Sequence, residues 1–582
     1  MKIFLTLSFC SVAILMFAQE KALDTTKELE NLFESIQKYE RSGSIMDSLY
    51  RGKHVNGPFR KLDETFYQQQ LEKYQSFKNQ LEILPPEELD RQGQISRQIM
   101  LLRLTDQMSR IKFKMYRIPM NAEGGFYNRI GMILKRLPFE DIQDYEDYIG
   151  WLPQYVKRLE DLKALMKEGI QSGIVAPKVV INNNMQLLQP WNVDQAEKSP
   201  FYSPFENMPE GISEATKVRL QKQGKAVIEE HVLPFYADFA DFLQNEYFLA
   251  SPDKPGIRFL PQGKAYYENR IRFYTTLEMT PDSVHQLGLQ EVARIRSKME
   301  AIIEEVNFQG TFEEFFHFLR TDQQFYADTP QELLNYAAWL SKKAEGELPK
   351  LFRELYSLPF TVAPVPDDIA PTYTGGRYVP GSWPEQRPGT YWVNTYKLDS
   401  RTLYTLPALT LHEAVPGHHL QNAIASELKG LPSFRNNYYI SAFGEGWGLY
   451  SEYLGEEMGM YETPYDLFGR YTYEMWRACR LVVDTGIHYK GWTREEAVDY
   501  LQSNTALSLH EVNTEIDRYI GWPGQAVSYK IGELKIKALR QKAKAALGEQ
   551  FDVRDFHFHV LKNGSVPLSV LEEEIEAYIK MK

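Results

Sequence analysis

Apolar residues along most of this chain recur at helical rather than strand spacing, as in VHQLGLQEVARIRSKMEAIIEEV from Val284. Helix starts punctuate it: LPPEEL at 84–89, TPDSV from Thr280, DTPQELL from Asp328 and WTREEAVDYL from Trp492. Each sets a capping residue or a proline ahead of acids in the first turn. One region breaks the pattern. Between Pro359 and Tyr396, FTVAPVPDDIAPTYTGGRYVPG and GTYWVNTY are rich in Pro and Gly, with short β-branched and aromatic runs. They predict loops and a small sheet. The fold class expected is therefore mainly α, with a small β-sheet just upstream of the histidine-rich segment described below.

The amino terminus departs in another way. Lys2, the apolar run IFLTLSFCSVAILMF, Ala18 and the polar QEK have the order of a secretory signal, with cleavage expected after Ala18. The run falls short of the roughly 20 residues that span a bilayer, so an uncleaved anchor is the lesser alternative. Lipidation at Cys10 is a further one, with Phe9 bulkier than such sites favour. No later stretch is long and apolar enough to cross a membrane. The expected product is an exported chain, periplasmic or secreted.

Composition narrows the function. The 582 residues, 43% hydrophobic and 25% charged, are ordinary for a globular enzyme and argue against disorder. The net charge of -12 has the wrong sign for holding nucleic acid by its phosphates. Two cysteines make no disulfide scaffold, and the mature chain would keep only Cys479.

The strongest chemical signal is LHEAVPGHHLQ, which holds three of the eleven histidines, His412, His418 and His419, with Glu413 beside the first. In a zinc peptidase helix, His-Glu-x-x-His sets two imidazoles four residues apart, about 40° around the axis, and the Glu activates a water. Here the fourth position is Pro416. On a regular helix His418 would lie roughly 240° round, and His419 about 10.5 Å up the axis, so neither would join His412. Pro416 removes an amide and Gly417 tolerates unusual dihedrals. A helix unwound there by two residues would deliver His418 to the second ligand position.

Catalytic zinc generally takes three protein ligands. Downstream, SAFGEGWGLYSEYLGEEMG reads as a second helix with Glu445 between two glycines and Glu452 two turns on along the same face. Glu445 is the expected third ligand, and Glu452 the expected support of a ligand histidine.

These residues resemble a known family. HEAVPGH followed by Gln421, GEGWGLYSE from Gly444, RLVVDTGIH from Arg480, GWTREEAVDYL and RYIGWPGQAVSYKIG from Arg518 look like the exported bacterial proteins of domain-of-unknown-function family 885. TPDSVHQLGLQEVARI from Thr280 and RPGTYWVN from Arg387, which contains Asn394, are similar as well. That family resembles gluzincin metallopeptidases. The resemblance implies a large two-lobed helical fold, one continuous family domain over about 25–575, divisible into a signal at 1–18, a helical part at 19–355 and a catalytic part at 356–582. It implies Zn2+ as cofactor and favours His418 over His419 as ligand, because the first histidine of the pair is the constant one.

If Glu413 is the base, the tetrahedral intermediate needs hydrogen-bond donors. His488, Tyr519 and Tyr529 are candidates, as related gluzincins use His and Tyr in this way. Asp484, four residues before His488, would orient it on one helix. Arg480 and Arg518 are candidates for a peptide's terminal carboxylate, or for ties between helices. His419, Gln421 and Asn394 are further candidates for support or substrate contact. GTYWVNTY is expected either as an edge strand for an extended peptide or as an internal strand.

The function expected is an exported zinc metallopeptidase acting on short peptides, with no nucleic-acid partner. A metal-dependent amide or ester hydrolase acting on a cell-wall fragment would use the same site. A non-catalytic binding protein is the third reading, against which Glu413 stands, since a structural zinc site needs no base.

Overall fold

Threonine caps decide where several long helices begin. Thr280, Thr463 and Thr493 each accept a hydrogen bond from the backbone amide three residues on, and the side chain at that position bonds back, which closes a capping box. Thr329 caps the helix Pro330–Leu351. The start expected at LPPEEL lies one turn early: Pro86–Glu88 is a short 3-10 turn, and the helix Arg91–Lys112 opens on Asp90, whose carboxylate accepts from Gly93 N. The aspartate satisfies an orphan amide that the two prolines leave uncapped.

The computed structural model describes residues 24–41, 45–55, 59–367 and 369–582. The expected leader, with Cys10 and the cleavage point, lies outside them. The described residues are mainly helical with a small sheet, and none of their helices is long and apolar enough to cross a membrane. The chain forms two compact units: residues up to Gly263 with Ile520–Trp522, and Lys264–Tyr519 with Pro523–Lys582. The first is helical apart from a two-residue hairpin pairing Met120–Asn121 with Gly124–Gly125. The second carries every residue singled out above as functional.

Seven elements of the second unit matter most for the site, besides its sheet. Helix α1 is Pro281–Glu305, α2 Leu406–Glu413, α3 His418–Glu427, α4 Ser441–Glu457, α5 Pro464–Thr485, α6 Leu509–Gly521 and α7 Ser528–Leu547. The sheet has strands β1, Phe360–Pro364, β2, Gly376–Val379, and β3, Gly389–Val393, in the order β1-β3-β2. Strand β3 pairs in parallel with β1, Tyr391 opposite Val362, and antiparallel with β2, Tyr391 opposite Tyr378. GTYWVNTY is therefore the central strand, and the edges are β1 and β2. Its Tyr391 and Val393 are buried, so alternate residues of the central strand face the core.

Helices α1, α5 and α7 are tied by buried charge. Lys530 is fully buried and bonds Glu474 at 2.6 Å, Glu533 at 2.6 Å and Glu291 at 3.0 Å, while Arg294 and Arg470 also pair with Glu474. Helices α4 and α7 approach on glycine. A Cβ on Gly532 would stand 1.9 Å from the Ala442 carbonyl oxygen and 2.7 Å from the Gly446 Cα. Gly532→Ala should destabilise the protein by about 1–3 kcal/mol or more through overpacking, read as a lower midpoint in urea denaturation. An unchanged midpoint would show that the two helices can separate freely.

Candidate metal centre

All eight residues of α2 are buried, so His412 and Glu413 are fixed by packing on every side. The helix ends at Ala414, the chain passes a cis Val415–Pro416 bond, and α3 begins at His418. The stretch is thus two helices, where the sequence predicted one unwound by two residues. Gly417 is required at the junction: a Cβ there would lie 1.9 Å from the His412 carbonyl oxygen and 2.3 Å from that of Leu411. The break brings the His412 and His418 rings to 4.8 Å between centroids, nearly perpendicular.

Glu445, one turn into α4, meets both. Its Oε2 lies 3.6 Å from His412 Nε2 and 3.4 Å from His418 Nε2. One ligand atom from each of the three residues falls within 4.8 Å of the others. Ligands about 2.0–2.2 Å from one zinc stand roughly 3.3–3.6 Å apart in a tetrahedral arrangement, so the donor set and its spacing fit a zinc-type ion. The glycines of GEGWG make room: a Cβ on Gly448 would come within 2.7 Å of the His412 imidazole, and one on Gly446 would strike Gly532. Gly448→Ala should displace the His412 ring and weaken metal binding while the fold persists. Equilibrium dialysis against zinc checks it, and unchanged affinity would mean the ring has slack.

The other nitrogen of His412 is also held. Nδ1 is 2.7 Å from Glu452 Oε1, and Glu452 is itself buried, with Arg477 at 3.6 Å. With the Nδ1 proton donated to this carboxylate, Nε2 is the nitrogen that would give up its proton to take a metal. Burial opposes a charge on His412, but Glu445, Glu452 and Glu413 overcome it and lift its pKa to about 9. Burial likewise opposes the Glu445 carboxylate, yet hydrogen bonds to His412 and His418 hold it well below the usual range. The cluster is a place that gathers positive charge.

Glu413 turns to the sheet. Its Oε2 accepts a hydrogen bond of 2.8 Å from Tyr378 N on β2, so an edge strand anchors this carboxylate. Tyr529 of α7 lays its ring parallel to His412 with centroids 6.5 Å apart, and Arg480 covers the Tyr529 ring at 4.2 Å. Burial and the charge of Glu445 push the Tyr529 hydroxyl pKa up, so it stays a donor at neutral pH. Tyr439, just before α4, packs its ring over Gly444, and burial together with the charge of Glu445 pushes its hydroxyl pKa up. The sequence reading missed it, because a tyrosine in a loop carries no spacing signal.

Other candidates go elsewhere. His419 is buried among Tyr356, Phe360 and Tyr378, its Nδ1 3.1 Å from the Tyr378 hydroxyl, and burial pushes its pKa down to about 4. His488 Nε2 bonds the Tyr519 carbonyl at 2.9 Å. Asp484 does not orient it: Asp484 accepts from the Tyr267 hydroxyl and from Gly524 N, and burial raises its pKa to about 7. The Tyr519 hydroxyl accepts from Trp476 Nε1 and Arg480 Nε. Arg480 of α5 bonds Glu515 of α6, and Arg518 bonds the same carboxylate from within α6. Arg480 Nη1 is nevertheless buried without a partner. Asn394 staples its own loop, donating to the carbonyls of Ala370, Tyr373 and Thr374 and accepting from Tyr396 N. Gln421 is buried with both side-chain polar atoms unpartnered.

A broken buried helix carrying two histidines, closed by a glutamate from a second helix, defines a mainly helical protein with a His-His-Glu cluster beside a small sheet. The chain belongs to the family of bacterial proteins of unknown function DUF885, which matches residues 46–575. It is 28% identical to a candidate lipoprotein from Colwellia psychrerythraea, with a TM-score of 0.85 over 96% of this chain and 100% of that one. A candidate lipoprotein of unknown function from Shewanella oneidensis has 19% identity and a TM-score of 0.68 over 94% of this chain and 99% of that one, a likeness of fold alone. No curated protein matches the chain.

Proposed function

We propose that the protein is an exported zinc metallopeptidase of gluzincin type that hydrolyses short peptides. The observation that carries this is the convergence of His412, His418 and Glu445 next to Glu413, a carboxylate outside the ligand set. A purely structural zinc site has no use for such a group. His412 and His418 would hold the ion through nitrogen and Glu445 through a carboxylate oxygen. Bound there, zinc would supply Lewis acidity toward a carbonyl and toward water.

The chain's own residues do the rest. Glu413, with Oε2 steadied by Tyr378 N, offers Oε1 to take the proton of the attacking water and to pass it to the leaving amine. Glu452 keeps the His412 proton on Nδ1. The hydroxyl of Tyr529 is the best-placed donor for the oxygen that gains charge, since its ring lies along His412. Export is supported by the leader-like opening of the sequence and by the lipoprotein description of both structural relatives.

The test is cleavage of a short-peptide library by the purified chain, with and without a chelator. Cleavage that stops with the chelator and returns with zinc is the result expected. Zinc bound without cleavage of any peptide would overturn the peptidase reading, and cleavage of esters or cell-wall fragments instead would install the wider hydrolase reading. Failure to bind metal would overturn both.

A further inference from the structure

A cavity of about 310 Å³ lies in the second unit beside the first turns of α2, with Leu406 and Leu409 in its wall. That is at the small end of the roughly 300–1,000 Å³ of small-molecule pockets, room for one amino acid or little more. Five charged residues line it, Arg320, Lys397, Asp399, Arg401 and Glu511 of α6, and the pair of interest is Glu511 and Arg401. They are each other's leading charged neighbours, yet they form no ion pair. The Arg401 guanidinium has a 3.3 Å bond from Nε to the Tyr396 carbonyl. Among the described residues, the Glu511 carboxylate has no hydrogen bond or ion pair at all.

A half-buried carboxylate without a partner is costly. Burial accordingly raises the Glu511 pKa to about 7 even with Arg401 nearby. Of the other charges of the wall, Arg320 is occupied by the carbonyls of Thr505, Ala506 and Leu507, and Lys397 and Asp399 are exposed to solvent. Tyr473 and Leu507 add aromatic and apolar surface to the wall. Neighbouring carboxylate and guanidinium groups suit a ligand that carries an ammonium and a carboxylate close together, with an apolar group against Tyr473 and Leu507.

We propose that this cavity is a binding site for a small zwitterion, a free α-amino acid with an apolar side chain, its ammonium on Glu511 and its carboxylate on Arg401. The site is separate from the His-His-Glu cluster and does not rest on the peptidase reading. It takes the class of molecule that complete hydrolysis of a peptide releases.

The experiment is calorimetric titration of the full chain with L-leucine, N-acetyl-leucine and leucinamide. Leucine should bind saturably, and each analogue, lacking one charge, should bind at least tenfold more weakly. Glu511→Gln and Arg401→Gln should each weaken leucine binding by tenfold or more, with thermal melting confirming the fold. The analogue series stands even if a variant fails to fold. Binding should persist in His418→Ala, which separates this proposal from the metal reading. No saturable heat with leucine, or equal binding of the three compounds, would overturn it.

Discussion

Glu413→Gln should lower peptide turnover by about 10²–10⁴-fold, the range that a positioned general base contributes, while leaving bound metal unchanged. The substitution preserves shape, and a glutamine oxygen can still accept from Tyr378 N, so the edge strand stays where it is. The amide cannot take a proton from water. The metal ligands are other residues, so the ion should remain at one per chain. The loss should appear in kcat with KM little altered, because the group acts on the reacting water rather than on substrate binding. Activity within threefold of wild type would remove Glu413 from the mechanism.

The second large effect separates two adjacent histidines. His418→Ala should lose zinc, whereas His419→Ala should keep it. His418 Nε2 stands 3.4 Å from the Glu445 oxygen and 12% of its side chain is exposed, enough to meet an entering ion. His419 points into the box of Tyr356, Phe360 and Tyr378 and is held neutral by burial. Its removal leaves a cavity among aromatic rings, so the expected cost is stability and a lower melting temperature rather than metal. Glu452→Ala provides the intermediate case. Losing the partner of a ligand histidine typically weakens metal binding by about 10–100-fold, less than losing the ligand. Metal content measured on the three purified variants decides among them. Zinc retained by His418→Ala and lost from His419→Ala would reverse the assignment.

What was legible in the sequence was the chemistry that local spacing controls. Pro416 and Gly417 announce a break after His412, because one lacks an amide and the other lacks a Cβ, and the break is what brings His418 round. Glu445 and Glu452 lie seven residues apart on one helix and so present one face, which the structure turns toward His412. Threonine caps were readable for the same local reason.

What was not legible depends on partners distant in sequence. Asp484 and His488 are one turn apart, yet Tyr267 and Gly524 claim the first and the Tyr519 carbonyl the second. Asn394 bonds carbonyls about twenty residues before it, so a side chain that reads as a substrate contact closes a loop instead. The place of GTYWVNTY at the centre of the sheet is fixed by the strands on both sides of it, neither of which its own alternation reveals. Tyr439 enters the site through a loop conformation that no periodicity encodes.

Anomalous scattering at the zinc edge from crystals of the zinc-loaded chain addresses the central claim directly. The account predicts a single strong peak about 2.0–2.2 Å from His412 Nε2, His418 Nε2 and a Glu445 carboxylate oxygen. A peak elsewhere in the chain, or no peak between these three residues, would contradict it.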